Sequence, residues 1–393
     1  MLALRSAPEN LRYGAMFAAH FALIGAQLPF FSGFLEDRGF SAVAIGAIGA
    51  ASLLFRMLAG PAIAYRVDSR GAQRSAIAFW AFAVALPATC LPFFSGAMLG
   101  AASLAMLCAF GALTPLIDAG ALGADRRGAL HYGQTRACGS AAFIASAILT
   151  GAVVERAGIA AAVIVMAASA AAAFAFSFTL PDTQSASAGA ISPAERRAEA
   201  GRLVRSRTFL LFLAAAGLGQ GAHAGYYYFT ILDWRAQGMD ARAIGLLWAT
   251  GTFCEIFILA RGRALARRFG PVGLIAAGGA ASVLRWTATA FAPPLPILFL
   301  VQALHALTFG AAFLGAVEFI ARATPERLGN TAITLMSSTG VGLATAAAAF
   351  AGGLLYQWGG PAPMYALMAG CGAASALCAW ALSRAWVAGE RIV

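Results

Sequence analysis

Nine ionisable side chains stand inside stretches that are otherwise apolar or small: His20, Arg56, Asp118, Arg136, His223, Glu255, Arg285, His305 and, near the end of its run, Glu318. Each suits a definite chemistry. An arginine fork matches a carboxylate bidentately and keeps its proton. A lone glutamate or histidine can take up and release a proton. An Asp beside an Arg can bind hydroxyl groups or tie two helices together. A charge at the centre of a hydrocarbon-spanning helix costs about 2.5–3.5 kcal/mol even on lenient scales, so such residues count as functional by default.

Their spacing puts them near one depth. Two antiparallel helices joined by a short turn reach equal depth at equal distances from the turn. Asp118 and Arg136 are each nine residues from Arg127, or about 13 Å of helix rise. His20 and Arg56 are each eighteen from Arg38, and His223 and Glu255 each sixteen from Met239. Glu255 and Arg285 are each fifteen from Gly270, and Arg285 and His305 each ten from Leu295. The ladder predicts a polar layer close to mid-membrane, with Arg136 within reach of Asp118.

The elements that carry these groups are membrane spans. Of 393 residues, 61% are hydrophobic and 11% charged, and the mean hydropathy is +0.77. That much apolar surface does not fit inside a soluble domain of this length. The apolar runs repeat at lengths able to cross about 30 Å of hydrocarbon. Twelve spans are predicted, at 11–35, 41–65, 75–94, 97–123, 132–154, 158–180, 208–234, 241–262, 271–291, 295–321, 328–355 and 361–385. The first follows Arg5 and Arg12 and is too long for a signal-peptide core, so it is expected to be retained.

The net charge of +11 comes entirely from arginine, since the chain has no lysine. With the N-terminus inside, most arginines fall on the cytoplasmic side, and only Arg38, Arg156, Arg235 and Arg242 fall outside. This bias predicts both termini in the cytoplasm, and it makes the basic charge a topology signal rather than a nucleic-acid footprint. The six cysteines lie in apolar runs without metal-ligand spacing, so neither a metal site nor a disulfide framework is expected.

The longest hydrophilic segment, Pro181 to Phe209, divides the spans into six and six. Within it Ser192, Pro193 and Glu195 form a helix-start signal for a short basic helix. The expected organisation is a bundle at 1–180, a cytoplasmic loop at 181–207 and a second bundle at 208–393. "AYRVDSRGAQR" (Ala64 to Arg74) and "ARGRALARRFG" (Ala260 to Gly270) echo one another as Arg-rich turns. The plan resembles that of the major facilitator superfamily, and the first turn resembles its loop signature. Asp68 and Gly71 match, Arg70 and Arg74 are each offset by one, and Ala64 replaces the leading Gly. The resemblance implies an all-α polytopic fold of two pseudo-symmetric six-helix bundles, with Asp68, Arg70 and Arg74 gating the inward face. A turn that only stops transfer is the plainer alternative.

"HYGQTRACGSAAFIASAILTG" (His131 to Gly151) resembles the fifth helix of the lactose permease family, and Asp118 and Arg136 occupy the places of its substrate-gripping acid and arginine. Arg285 and His305 match its arginine and histidine of helices 9 and 10. Thr308 stands where that family has its proton-carrying Glu, "AHAGYYY" lacks its helix 7 acids, and Glu255 lies one turn beyond its helix 8 Glu. Any proton coupling must therefore be rewired. "QGAHAGYYYF", "IGLLWATGTFCEIFILA", "SVLRW" and "LVQALHALTFG" are more similar still to the phenylpropionate permease family. That resemblance implies import of 3-phenylpropionate or a related aromatic acid with protons.

The resulting expectation is a proton-coupled secondary transporter working by alternating access, not an enzyme. Asp118, Arg136, Arg285, His305, Tyr227 and Trp248 are the substrate candidates, and Glu255, His305 and His223 the proton candidates. Plainer roles stay open: an interhelical Asp118–Arg136 pair, an Arg285–Glu255 pair, histidines bonded to neighbouring helices, and Tyr226, Tyr227, Tyr228, Trp248 and Trp286 as packing. Glu318 precedes Arg322 by four residues and suits a local ion pair. The expected ligands are a small-molecule substrate and the proton as coupling ion, with no other cofactor. The expected setting is the lipid bilayer of the inner (plasma) membrane, crossed many times by a monomer. A symporter of a neutral sugar or nucleoside, or a drug-efflux antiporter, is the alternative.

Overall fold

The structure is a computed structural model that describes residues 7–181, 198, 201–387 and 390–392, and among these every regular element is helical. The first six helices are α1 (Glu9–Asp37), α2 (Ala42–Arg70), α3 (Gln73–Cys90), α4 (Gly96–Arg126), α5 (Tyr132–Ala157) and α6 (Ala160–Ser177). There follow α7 (Arg207–Gly221), α8 (Ala224–Tyr228), α9 (Thr230–Ala236), α10 (Ala241–Ala260), α11 (Gly262–Ala290) and α12 (Leu295–Ala303). The last are α13 (Ala312–Ala323), α14 (Glu326–Leu335), α15 (Leu343–Gly359) and α16 (Pro361–Ala385). Two π-helical turns, Ala306–Ala311 and Met336–Gly342, join α12 to α13 and α14 to α15.

Among the described residues, ten helical stretches are long and apolar enough to cross a membrane. Two of the twelve expected spans are not among the ten. The run 208–234 is broken into α7, α8 and α9. The run 271–291 is helical within α11, but Ser282, Arg285, Thr287 and Thr289 dilute its hydropathy. Large apolar side chains point outward, with Leu58 73% and Leu300 72% exposed. Such a surface suits acyl chains, while the helices satisfy their own backbone groups as hydrocarbon demands.

The chain forms two compact units, one of Met1–Ala188 with Ile231–Ala249, the other of Gly189–Thr230 with Thr250–Val393. In the first, α1 packs along α5 and α6, α3 along α4 and α6, and α2 along α4. A Cβ on Gly25 would lie 2.5 Å from the Phe143 carbonyl oxygen, so α1 and α5 meet this closely only because glycine stands there. Ser146 Oγ donates to the Ala22 carbonyl at 2.6 Å, and Gln73 Nε2 to that of Leu116 at 2.6 Å, pinning α5 to α1 and α3 to α4. Ile231–Ala249 joins this unit through Arg235, which pairs with Glu36 at 3.4 Å and Asp37 at 3.6 Å. Glu155 accepts from the Ala241 amide at 2.7 Å and so caps α10.

The turn that resembles the superfamily's loop signature lies between α2 and α3. Gly71 takes a φ of 59° there, a conformation that only glycine adopts freely. Arg74 sits in the first turn of α3. The side chains of Asp68 and Arg70, and the helix start at Ser192, Pro193 and Glu195, lie outside the described residues.

In the second unit α11 packs along α16 and α13, and α7 along α16 and α15. Its core includes Phe209, Phe212, Phe319, Leu382 and Trp386, with Phe212 stacked on Phe319 at 4.4 Å between centroids. A Cβ on Gly217 would lie 2.5 Å from the Gly340 carbonyl oxygen, where α7 crosses the second π turn.

Candidate functional site

Each unit holds a polar cluster. In the first, α4 carries Asp118 and Thr114, α5 carries Tyr132 and Arg136, and α1 carries Phe17, His20 and Phe21. Arg136 Nε lies 3.5 Å from Asp118 Oδ1, both side chains being 28% exposed. Tyr132 Oη donates to the same Oδ1 at 3.0 Å. The guanidinium lies over the Phe21 ring, 3.9 Å from its centroid, an attraction worth about 0.5–2 kcal/mol. His20, fully buried, stacks on Phe110 and makes a 2.8 Å hydrogen bond to Thr114 Oγ1 through Nε2. Arg56 packs its stem against Gly111 on α4.

The second cluster centres on Arg285 of α11, whose side chain is 0% exposed. Its Nη1 donates to Thr308 Oγ1 and to His305 Nδ1, both at 3.0 Å. Its Nη2 donates to Gln302 Oε1 at 2.7 Å. The guanidinium also stacks on Trp286 at 4.2 Å and Tyr226 at 4.7 Å from the ring centroids. An amide, a hydroxyl, an imidazole and two aromatic rings thus surround a buried cation.

The hydrogen bonds assign the imidazole tautomers. A guanidinium only donates, so His305 Nδ1 is an acceptor and Nε2 carries the hydrogen, which faces Glu255 Oε2 at 3.7 Å. His223 Nδ1 donates to the Gly219 carbonyl at 3.2 Å, which leaves Nε2 to accept from the Thr308 hydroxyl at 3.0 Å. A single network therefore runs from Glu255 through His305, Arg285 and Thr308 to His223. Local breaks position it. His223 stands in the gap between α7 and α8, and His305 precedes the π turn Ala306–Ala311, an element common at functional sites.

Of the residues expected from sequence, the structure brings Asp118 to Arg136, and Arg285 to His305, Glu255 and His223. Tyr227 stacks on His223 with centroids 5.9 Å apart. Trp248 is buried and belongs to the first unit. Glu318 pairs with Arg322 at 3.0 Å. Sequence reasoning missed Tyr132, Phe21 and Gln302. Tyr132 precedes Arg136 by one helical turn, and Gln302 precedes His305 by three residues in an apolar run, which were the available signals.

Residues 11–367 match the model of the MFS_1 like family. The chain belongs to the MFS_1 like family. A probable 3-phenylpropionic acid transporter of Escherichia coli (strain K12) is 31% identical over 357 residues, covering 89% of this chain and 92% of the relative. A maltose permease of Geobacillus stearothermophilus is 29% identical over 250 residues, 63% of this chain and 62% of that one. The crystal structure of the nucleoside transporter NupG superposes with a TM-score of 0.77 over 96% of this chain and 99% of that one. At 16% identity that likeness shows a shared fold. The resemblance noted in the sequence to major facilitator carriers and the phenylpropionate permease branch is thus borne out. This MFS_1 like protein is a multi-pass membrane transporter, and its family and relatives are not enzymes.

Proposed function

We propose that this transporter is a proton-coupled symporter that imports a small organic acid, an aromatic carboxylate such as 3-phenylpropionate, by alternating access. The observation that carries the reading is Arg285, a buried guanidinium flanked by aromatic rings and held by neutral partners, with the Glu255–His305 pair beside it. A carboxylate supplies the countercharge, and the rings of Tyr226, Tyr227 and Trp286 suit an aromatic body. Arginine cannot release a proton at accessible pH, and Asp118 is engaged by Arg136 and Tyr132. The proton is therefore assigned to Glu255 and His305, with His223 next along the network.

Asp118 and Arg136 complete the substrate contacts in this reading, with Trp248 as a further aromatic, and Asp68, Arg70 and Arg74 serve the inward gate. The protein works as a monomer of two six-helix bundles in the inner membrane, with both termini cytoplasmic. The probable 3-phenylpropionic acid transporter among its relatives supports the acid. A second reading, symport of a neutral sugar or nucleoside, is favoured by one feature: the Asp118–Tyr132–Arg136 cluster offers donors and acceptors that suit hydroxyls.

The test is uptake into proteoliposomes under an imposed inward proton gradient, with a panel of aromatic and aliphatic acids, sugars and nucleosides. Accumulation of an aromatic acid together with proton influx is expected. Accumulation of a sugar or nucleoside with no response to any acid overturns the acid reading.

A further inference from the structure

The donor count around Arg285 does not close. A guanidinium has five N–H groups. Those of Nη1 serve His305 and Thr308, and one on Nη2 serves Gln302 Oε1. The Nε–H has no acceptor, although the side chain is 0% exposed. Gln302 Nε2, also 0% exposed, has none, and neither has the indole Nε1 of the adjacent Trp286. Every unmatched group named is a donor, so what the cluster lacks is acceptor oxygen, which an anion brings and a cation does not.

The gap has a shape. Nη2 is trans to Cδ and shares one edge of the guanidinium with Nε–H, and a carboxylate binds that edge through two parallel hydrogen bonds. An amide has a single acceptor oxygen, so Gln302 can fill only half of the edge. Resting on the carboxylate reading proposed above, we infer that Gln302 is a specificity residue that stands in for the substrate carboxylate on the Nε–Nη2 edge of Arg285 and gives way to it. On binding, the two carboxylate oxygens take Nε–H and Nη2–H. The displaced amide then turns its Nε2 hydrogens, which have no acceptor in this structure, onto the bound anion. An amide or ester isostere of the substrate supplies no more acceptor than Gln302 already does, so the exchange favours only the acid.

The test uses the full-length protein in detergent, with 3-phenylpropionate as probe. Gln302→Glu puts a permanent carboxylate on the edge, and removing the isolation of a buried charge is stabilising. Its thermal midpoint should rise by at least about 2 °C, and its affinity for the probe should fall by about 100-fold or more, as expected for losing a charge-assisted contact and gaining a like charge. Gln302→Leu keeps the volume without any acceptor. It loses the amide's contact to the anion but leaves nothing to displace from the edge, so the two offset and it should still bind the probe within about 10-fold of wild type. A Gln302→Glu protein that binds like wild type, or is no more stable than wild type, overturns the inference. So does a Gln302→Leu protein that loses binding as completely as Gln302→Glu, because Gln302 is then merely structural. If wild type itself binds no acid of the panel, the proposed function falls and the inference with it, whereas failure of the variants alone overturns only the inference.

Discussion

Replacing Arg285 by lysine separates charge from geometry. The acceptors of the guanidinium include Gln302 Oε1 at 2.7 Å and His305 Nδ1 and Thr308 Oγ1 at 3.0 Å, reached from two nitrogens of one plane. A lysine ammonium is a point donor without the fork. For a bound carboxylate the change removes one of two parallel charge-assisted hydrogen bonds, each worth about 1.5–3 kcal/mol. The dissociation constant should therefore rise about 10- to 150-fold. Arg285→Ala removes both bonds, about 3–6 kcal/mol, and takes binding out of the measurable range. Alanine also strands Gln302, His305 and Thr308 in a buried site, so its thermal midpoint must be followed alongside; lysine retains the charge and is the cleaner variant. Calorimetry on purified protein with 3-phenylpropionate and its primary amide checks the argument. The acid-to-amide preference should shrink in Arg285→Lys, and Arg285→Ala should show no measurable binding of the acid. An Arg285→Ala protein that keeps wild-type affinity for the acid refutes the assignment of this arginine to the carboxylate.

Four further outcomes follow from the same geometry. Asp118→Asn and Arg136→Gln should each abolish accumulation with membrane insertion intact, as read in uptake assays; normal transport by either variant would break the assignment of the two residues to one site. Tyr132→Phe deletes a 3.0 Å hydrogen bond to Asp118 and should weaken substrate binding about 3- to 10-fold, the equivalent of about 1 kcal/mol, while leaving expression unchanged. Glu255→Gln should still exchange labelled for unlabelled substrate but fail to concentrate it under a pH gradient, and retained accumulation moves the proton to His305. Gly217→Val drives a side chain into the Gly340 carbonyl, 2.5 Å from the Cβ position, and should cost about 1–3 kcal/mol, seen as a lower thermal midpoint.

Much of both clusters was legible because depth in a bundle is one-dimensional. Counting residues from a turn needs only the rise per residue, and it matched Asp118 with Arg136 and set Arg285 level with His305 and Glu255. Rotation about the helix axis is not carried by such a count. That His305 stands between Glu255 and Arg285, bonded to one at 3.0 Å and facing the other at 3.7 Å, depends on lateral packing. Gln302 escaped notice because a neutral amide does not announce itself as a charge does. The breaks at His223 and at the π turns were hidden for another reason. Small residues such as those in "QGAHAGYYYF" fit a continuous helix and an interrupted one equally well, and the packed neighbours decide. The contacts of Ile231–Ala249 within the first unit include those of Arg235 and Glu155, ordinary loop-end charges until their partners are seen.

The π turns give two helices slack. Such a turn holds one residue more than the α-helical ladder pairs, like a wrinkle in a carpet. Passing the wrinkle along exchanges only a few backbone hydrogen bonds, and it swings the side chains it crosses by about 100° while both helix ends stay put. Thr308 lies within one wrinkle and His305 at its edge, and Gly340, over which α7 crosses, lies within the other. Two members of the network, His305 and Thr308, are thus mounted where a helix can re-aim its polar side by local rewinding, without tilting as a rod.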